Sequence, residues 1–469
     1  NYPQAYQDLF SCFMVRSKVQ LLERGLAGFI TLQGWMFVSS FTELRKWLLN
    51  NLNFDSLIQV GGNSFPSLNS QVARAVTFTV TNIFSQAHKT VSFDLDSVQK
   101  SHSLDKKALF ENYLKVNNYS IRSFELFKKI NRNTFLHSID SKLIDKFINS
   151  EPFENLAKPK QGLATGSNER FVRFWQEINY NKSFWHSDTN PKWHPYNKGG
   201  DFRKWYGNNE NVVNWEENGI EIKNFTDLKG KLRSRPQNEA YYFKKGVTYS
   251  LIGNSNFCAR SYGEGFIFDV GGSGFFPDEN NHNLLLGLVN SRVGSYLLSR
   301  LNPTVNFQVG DIGNIPIVDV SESHKKRIND IVLENIDIVR EEWSEKEEHP
   351  DFKKIELFKL VLNEELEEST QTVLAKRKIL VNKLFKNVSD LDNIFCEVYG
   401  IAPEIFEPDF KLSIYGNLKI NKQIDQTEIP TIWEREIIED FLNYAVGCMF
   451  GRYSLDKSGL ILANQGETL

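Results

Sequence analysis

The chain has 469 residues, 41% hydrophobic and 24% charged, with a net charge of −3. These are the values of a globular chain long enough for two or three domains and a large core, and near-neutrality argues for no particular partner. The distribution of charge says more than its total. Residues 158–260 carry 17 Lys/Arg against 10 Asp/Glu, while 321–410 carry 13 against 21, so one segment is expected to face a polyanion and another is not. The four cysteines, Cys12, Cys258, Cys396 and Cys448, are far apart and have no metal-ligand spacing, which fits reduced thiols in a cytoplasmic protein. His186 and His194 lie eight apart with no Cys or carboxylate at ligand spacing, so no metal is expected. The most apolar run, residues 25–38, contains Gln33 and is too short to span a bilayer, so no membrane partner is expected either.

The chain opens at Asn1 with an amphipathic pattern already under way, as expected of a piece of something longer. Residues 8–23 place Leu9, Phe10, Phe13, Met14, Val19, Leu21 and Leu22 at mixed helical spacings, an amphipathic helix that Gly25 ends. AGFITL, residues 27–32, reads as a buried parallel strand. Residues 41–52 form a second helix, with Phe41, Leu44, Trp47 and Leu48 on one face. Residues 57–60 and 75–81 (AVTFTVT) are further strands. Helix, strand, helix, strand, strand is the pattern of the second half of a doubly wound α/β sheet.

A connector with helices at 106–116 and 138–150 follows. Residues 166–318 then hold many short β-type runs broken by Gly, Asn and Asp turns, which argues for twisted antiparallel strands. Gly271, Gly272 and Gly274 around Ser273 could hold a phosphate on backbone amides, or could be only a tight turn. Residues 283–301 read as one amphipathic helix. From Glu322 to Tyr399 the pattern is helical, with Ile328, Ile331, Val332, Ile336 and Val339 on one stripe and a longer run at 357–385. Near the C-terminus Cys448 and Met449 read as packing residues, and Arg452 as an ion-pair or phosphate residue.

The densest stretch is 193–215, WHPYNKGGDFRKWYGNNENVVNW. It sets Lys198, Arg203 and Lys204 among Trp193, Tyr196, Trp205, Tyr206 and Trp215, with Gly199, Gly200 and Gly207 between them. Cations neutralise phosphates, arginine pairs with guanine edges, and aromatic rings stack on bases. The same composition also suits an aromatic loop packed on its own domain.

WHPYNKGGDFRKWYGN resembles a signature of the PglX family, the adenine-specific DNA methyltransferases of BREX phage-defence systems. Three further stretches share the resemblance: residues 8–49, residues 162–175 (GLATGSNERFVRFW) and YAVGCMFGRYSLD near the C-terminus. KGVTYSLIGNSNFCARSYGEGFIFDVGGSGFFP is similar to the recognition domains of type I specificity subunits and TaqI-like methyltransferases. The family transfers a methyl group from S-adenosylmethionine to the adenine amino group, with the target base flipped out of the duplex.

The resemblance implies an α/β architecture: the back half of a doubly wound methyltransferase sheet at 1–95, a connector at 96–157, a mixed α/β target-recognition domain at 158–318, a helical spacer at 319–410 and a C-terminal region at 411–469. Arg170, Arg173, Trp193, Tyr196, Lys198, Arg203, Lys204, Trp205, Arg233, Arg235, Arg260 and Ser273 are the expected contacts to double-stranded DNA. Trp35 and Met36 match a wall of the flipped-base pocket, although core packing explains them equally well. The family's Gly-rich cofactor loop and its Asn-Pro-Pro-Tyr motif are both absent, and NYPQAY lacks the adjacent prolines. S-adenosylmethionine is therefore expected to be held by residues missing from this chain, and no catalytic residue is assigned. Other BREX proteins are the expected protein partners. Two rivals stay open: a DNA-recognition module inert by itself, and a structural or partner-docking protein.

Overall fold

The computed structural model describes residues 2–62, 64–65, 73–96, 105–186, 190–251, 257–302, 306–360, 365–424 and 431–461. The stretches 252–256, 303–305 and 361–364, inside segments expected to be strand, recognition domain and helix, lie outside them. The chain divides into two compact units. Unit 1 is Asn1–Asn155, Tyr296–Thr304 and Gly310–Asp319; unit 2 is Leu156–Ser295, Val305–Val309 and Val320–Leu469.

Unit 1 is built on a five-stranded sheet of β1 (Leu26–Leu32), β2 (Asn53–Gly61), β3 (Ala75–Thr81), β4 (Thr90–Asp94) and β5 (Ser120–Arg122), in the spatial order β1-β3-β2-β4-β5. β1 and β2 both run antiparallel to β3, so they are parallel to each other with β3 inserted between them. β2 and β4 pair in parallel, and β5 closes the far edge antiparallel to β4. Alternation in AVTFTVT explains the layering: Val76, Phe78 and Val80 are buried, while Thr77 and Thr79 point to the other face. Phe78 packs against Phe29, Phe54 and Trp35, and Phe124, Phe127 and Phe135 extend that aromatic core.

Two helices precede β2. In α1 (Leu9–Gln20), Asp8 caps the first turn by accepting from the Phe10 amide. α2 (Thr42–Asn51) buries Leu44, Leu48 and Leu49. It also buries Arg45, whose guanidinium donates to the carbonyls of Trp35, Val38 and Arg132. Burial pulls that guanidinium down to about 9, with the Arg132 charge adding to the effect.

β1 corrects the expectation of a buried parallel strand. It has one antiparallel neighbour, and Leu26, Ile30 and Leu32 are 69%, 70% and 46% exposed. The physical reason is its place at the sheet edge with one uncovered face. Leu9, Phe13, Val19 and Leu22 of the first helical segment are also exposed.

Among the described residues, unit 2 carries two small sheets and a two-stranded antiparallel pair, Phe410–Leu412 with Leu418–Ile420. In one, Trp193–Asn197 lies between Asn211–Asn214, antiparallel, and Ile267–Phe268, parallel, with Val172–Phe174 at the far edge. In the other, Gly246–Tyr249 pairs antiparallel with Ala259–Tyr262 and Gly274–Phe275. Leu163, Phe171, Tyr196, Val213, Trp215, Ile222, Tyr242 and Phe268 make one buried cluster. The helices Glu322–Trp343 and Leu366–Tyr399 follow, and the expected isoleucine-valine stripe of the first is buried.

The single helix expected over 283–301 is two, Glu279–Asn290 and Arg292–Leu301. The break falls at Ser291, whose hydroxyl donates to the Leu288 carbonyl and accepts from the Gly294 amide. In the helix Thr431–Met449, Met449 is 84% exposed rather than packed, because the apolar pattern there runs past the buried side of the helix. Arg452 forms the expected ion pair, with Glu347 at 2.8 Å. No helix among the described residues is long and apolar enough to cross a membrane.

Candidate nucleic-acid interface

The aromatic-basic stretch turns inward. The strand Trp193–Asn197 leads into a turn where Gly199 and Gly200 have φ of +96° and +90°, and Trp205 itself sits at +73°. These left-handed positions fold the segment back across its own unit. The Arg203 guanidinium pairs with the Glu342 carboxylate, donates to the Tyr206 carbonyl at 2.9 Å and lies 4.2 Å over the Trp343 ring. Burial pushes the Glu342 carboxyl up, but the Arg203 and Lys346 charges more than offset that and hold it below the usual range. The Lys204 ammonium donates to the Asn290 carbonyl at 2.6 Å and is lowered by burial, an effect that Asp392 opposes.

Arg260 is 1% exposed and donates to the carbonyls of Arg203 and Gly199. Trp205 is 1% exposed, and its backbone bridges Ala259 and Ser261. Tyr196 donates its hydroxyl to the Leu163 carbonyl and to Asp269. Burial raises both the Tyr196 phenol and the Asp269 carboxyl. Five expected DNA contacts, Tyr196, Arg203, Lys204, Trp205 and Arg260, are thus an internal latch that ties loops and helices of unit 2 together.

The glycine string does not cradle an anion. Ser273 is fully buried and donates to the Val270 carbonyl, and a Cβ on Gly272 would fall 2.2 Å from the Asn197 carbonyl oxygen. These glycines exist for backbone-on-backbone packing. Trp193 is half-buried against Trp175, Ile178 and Val212, and Lys198 is half-buried. Trp35 and Met36 are 0% and 1% exposed in the core of unit 1, with the Trp35 indole donating to the Thr31 hydroxyl.

Arg170, Arg233 and Arg235 are exposed and gather at one hairpin, residues 225–235. Thr226 and Leu232 bridge antiparallel, and the Arg233 amide donates to the Phe225 carbonyl at 2.9 Å. The turn is closed by Gly230 donating to the Asp227 carbonyl, with Gly230 at φ +76°. The Asp227 side chain accepts from the amides of Lys229 and Lys231, both at 2.9 Å.

The guanidiniums of Arg170 and Arg233 both lie against the Phe225 ring, at 5.3 and 5.9 Å. Arg170 also pairs with Glu221 at 2.7 Å, beside an open groove of about 520 Å³ lined by Ile220, Asn224, Phe225 and Thr226. Arg173 donates to its neighbours' carbonyls at Glu169 and Val172 and is half-buried. Among the described residues, none of Lys229, Lys231, Arg233 and Arg235 lies in an ion pair.

Lys229 and Lys231 were not among the expected contacts. Their signal was in DLKGKLRSR, where a basic residue recurs at every second position from 229 to 235 around an Asp/Gly turn. Among the described residues there is no group of three or more His, Cys, Asp or Glu able to hold a metal. The acidic side of unit 2 is a groove of about 480 Å³ lined by Glu345, Glu347, Glu356, Glu436 and Glu439, with Arg377 bound to Glu356 at 2.8 Å.

Residues 1–65 match the family model of the Eco57I restriction-modification methylase. The chain is 30% identical to the adenine-specific methyltransferase BrxX of Escherichia coli O9:H4 (strain HS), over 99% of this chain and 37% of that protein. It is 29% identical to the adenine-specific methyltransferase PglX of Lacticaseibacillus casei (strain Zhang), over 98% of this chain and 38% of that one. Among solved structures, the type IIL restriction-modification enzyme MmeI in complex with DNA matches with a TM-score of 0.48 at 11% identity, covering 94% of this chain and 52% of that one. Along nearly its whole length the chain resembles the PglX-type adenine-specific methyltransferases, of which it spans a little over a third.

Proposed function

We propose that this chain is the target-reading part of a site-specific adenine DNA methyltransferase of a BREX-type phage-defence system, and that unit 1 supplies part of its catalytic fold. The observation that carries the reading is the exposed set Lys229, Lys231, Arg233 and Arg235, in no ion pair among the described residues, on a hydrogen-bonded hairpin beside Arg170. Cations left in solvent at one site suit a polyanion, whereas those of the latch are already neutralised or hydrogen-bonded inside the unit. The relatives' names agree with a DNA substrate. The exposed apolar edge of β1 supports the second half of the proposal, since a lone edge strand with Leu26, Ile30 and Leu32 in solvent is what an incomplete sheet presents.

The methyl donor of such an enzyme is S-adenosylmethionine, and the residues present do not fit it. Neither the Gly-rich loop nor the Asn-Pro-Pro-Tyr motif occurs in the sequence. A cavity in unit 1 lined by Leu49, Asn53, Phe84 and His88 has room for about 20 Å³, enough for a water and far below a nucleoside. The absent motifs favour a second reading, a recognition module that binds DNA and is inert by itself. Other BREX proteins remain the partners we propose for the assembled system.

Binding of the chain to random duplex DNA at two salt concentrations tests the reading. Salt-sensitive binding without added cofactor is expected. Salt-insensitive or undetectable binding would leave a structural or docking role instead.

A further inference from the structure

Leu228 is 107% exposed in the turn at the tip of the 225–235 hairpin, next to Lys229. A β-turn tip ordinarily takes a small or polar residue, because nothing in its own fold covers it. This tip is also unusually well held. The Asp227 amide donates to the Lys231 carbonyl at 2.8 Å, and the Asp227 carboxylate binds two further turn amides. The base of the hairpin is pinned by Ser234, whose hydroxyl donates to the Ile222 carbonyl, and by a two-way backbone pair between Arg235 and Ala164. Gly166 at φ +75° lets the chain pass beside Arg233, where a Cβ would stand 2.9 Å from backbone. A rigid arm therefore presents one apolar side chain, with Lys229 and Lys231 next to it and Arg233 and Arg170 behind, against Phe225.

We propose that Leu228 is a wedge that enters a base step of duplex DNA while the flanking cations hold the phosphates on either side. This rests on the DNA-reading function above and adds how the duplex is deformed. Apolar wedges between base pairs partly unstack and kink DNA, and flexible pyrimidine–purine steps yield most easily. Unpaired cations around the tip select a polyanion over an apolar protein surface. One leucyl side chain offers too little apolar area to hold a protein on a bilayer, which sets membrane insertion aside.

Wedge insertion unwinds the duplex, so it reads out without knowledge of the target sequence. The whole chain is bound to plasmid, the plasmid is relaxed with a topoisomerase, and the linking number is measured after the protein is removed. The parent chain is expected to lower the linking number in proportion to the amount bound. Leu228→Ser is expected to lose most of that shift with an unchanged salt slope, since the phosphate contacts remain. Leu228→Met, with an apolar tip, is expected to keep it. Leu228 is fully exposed, so both variants should fold as the parent does. A Leu228→Ser variant that shifts the linking number as far as the parent overturns the wedge. So does salt-sensitive binding with no shift by the parent, which leaves the DNA reading intact. Absence of DNA binding by every form removes both. Leu228-dependent capture on phosphatidylserine vesicles, without plasmid unwinding, would reassign the tip to membranes.

Discussion

Arg203 shows how far residue chemistry alone carries. Its charge and its aromatic company were legible in the sequence, and both are used in the fold: the guanidinium stacks on Trp343 and pairs with Glu342. What was not legible is that the partner carboxylate lies 139 positions away, so that the pair closes inside unit 2 rather than on a phosphate. A separation of 86 positions hid the Lys204–Asn290 bond in the same way. Replacing Arg203 therefore tests folding rather than DNA contact. Arg203→Ala alone removes one of two cationic partners of a carboxylate that is 1% exposed, leaving Lys346 at 3.3 Å, and is expected to cost about 1.5–3 kcal/mol in urea unfolding. The salt slope of whatever remains folded should be unchanged. A stability loss below about 1 kcal/mol would mean that the pair is not closed in solution.

At the scale of elements, periodicity located the strand Ala75–Thr81 to the residue and the buried stripe of Glu322–Trp343. It could not see that β1 has one strand neighbour among the described residues, because AGFITL is equally apolar in a sheet centre and at an edge. The Ser291 break escaped for a related reason: the apolar pattern continues across it, and only a side-chain hydroxyl competing for the backbone ends the helix. Ile30→Lys tests the edge. In this chain the position is 70% exposed, so the change should alter stability by less than about 0.5 kcal/mol and leave DNA binding alone. In a longer polypeptide carrying the cofactor motifs it should impair methyl transfer, and full activity there would argue against a strand pairing at β1.

The acidic groove makes a separate prediction. Burial, with the neighbouring Glu356 charge, pushes the Glu345 carboxyl up to about 7. A carboxyl raised in the folded state favours folding below its unfolded value and loses that contribution as pH rises through about 7. Glu345→Gln should therefore gain stability relative to the parent at pH 8, by about 2–4 °C in Tm per kcal/mol recovered, and lose that advantage near pH 5. A Tm difference that does not vary with pH would contradict the assignment.

At the scale of the molecule, the resemblance to BrxX and PglX runs the length of the chain but covers 37% and 38% of those proteins. The cofactor motifs are absent from the sequence, and the chain by itself is expected not to methylate plasmid DNA; labelled methyl groups appearing in the plasmid would overturn that. The 225–235 hairpin, rather than the aromatic-basic latch, is expected to meet the DNA. The most direct test is the salt dependence of duplex binding by the parent and by Lys229→Ala/Lys231→Ala/Arg233→Ala/Arg235→Ala. Each phosphate contact contributes about 0.9 to the slope of log K against log salt, so the fourfold variant should lose roughly 3 to 4. A variant that binds with the parent's affinity and slope would contradict the account and move the interface off this hairpin.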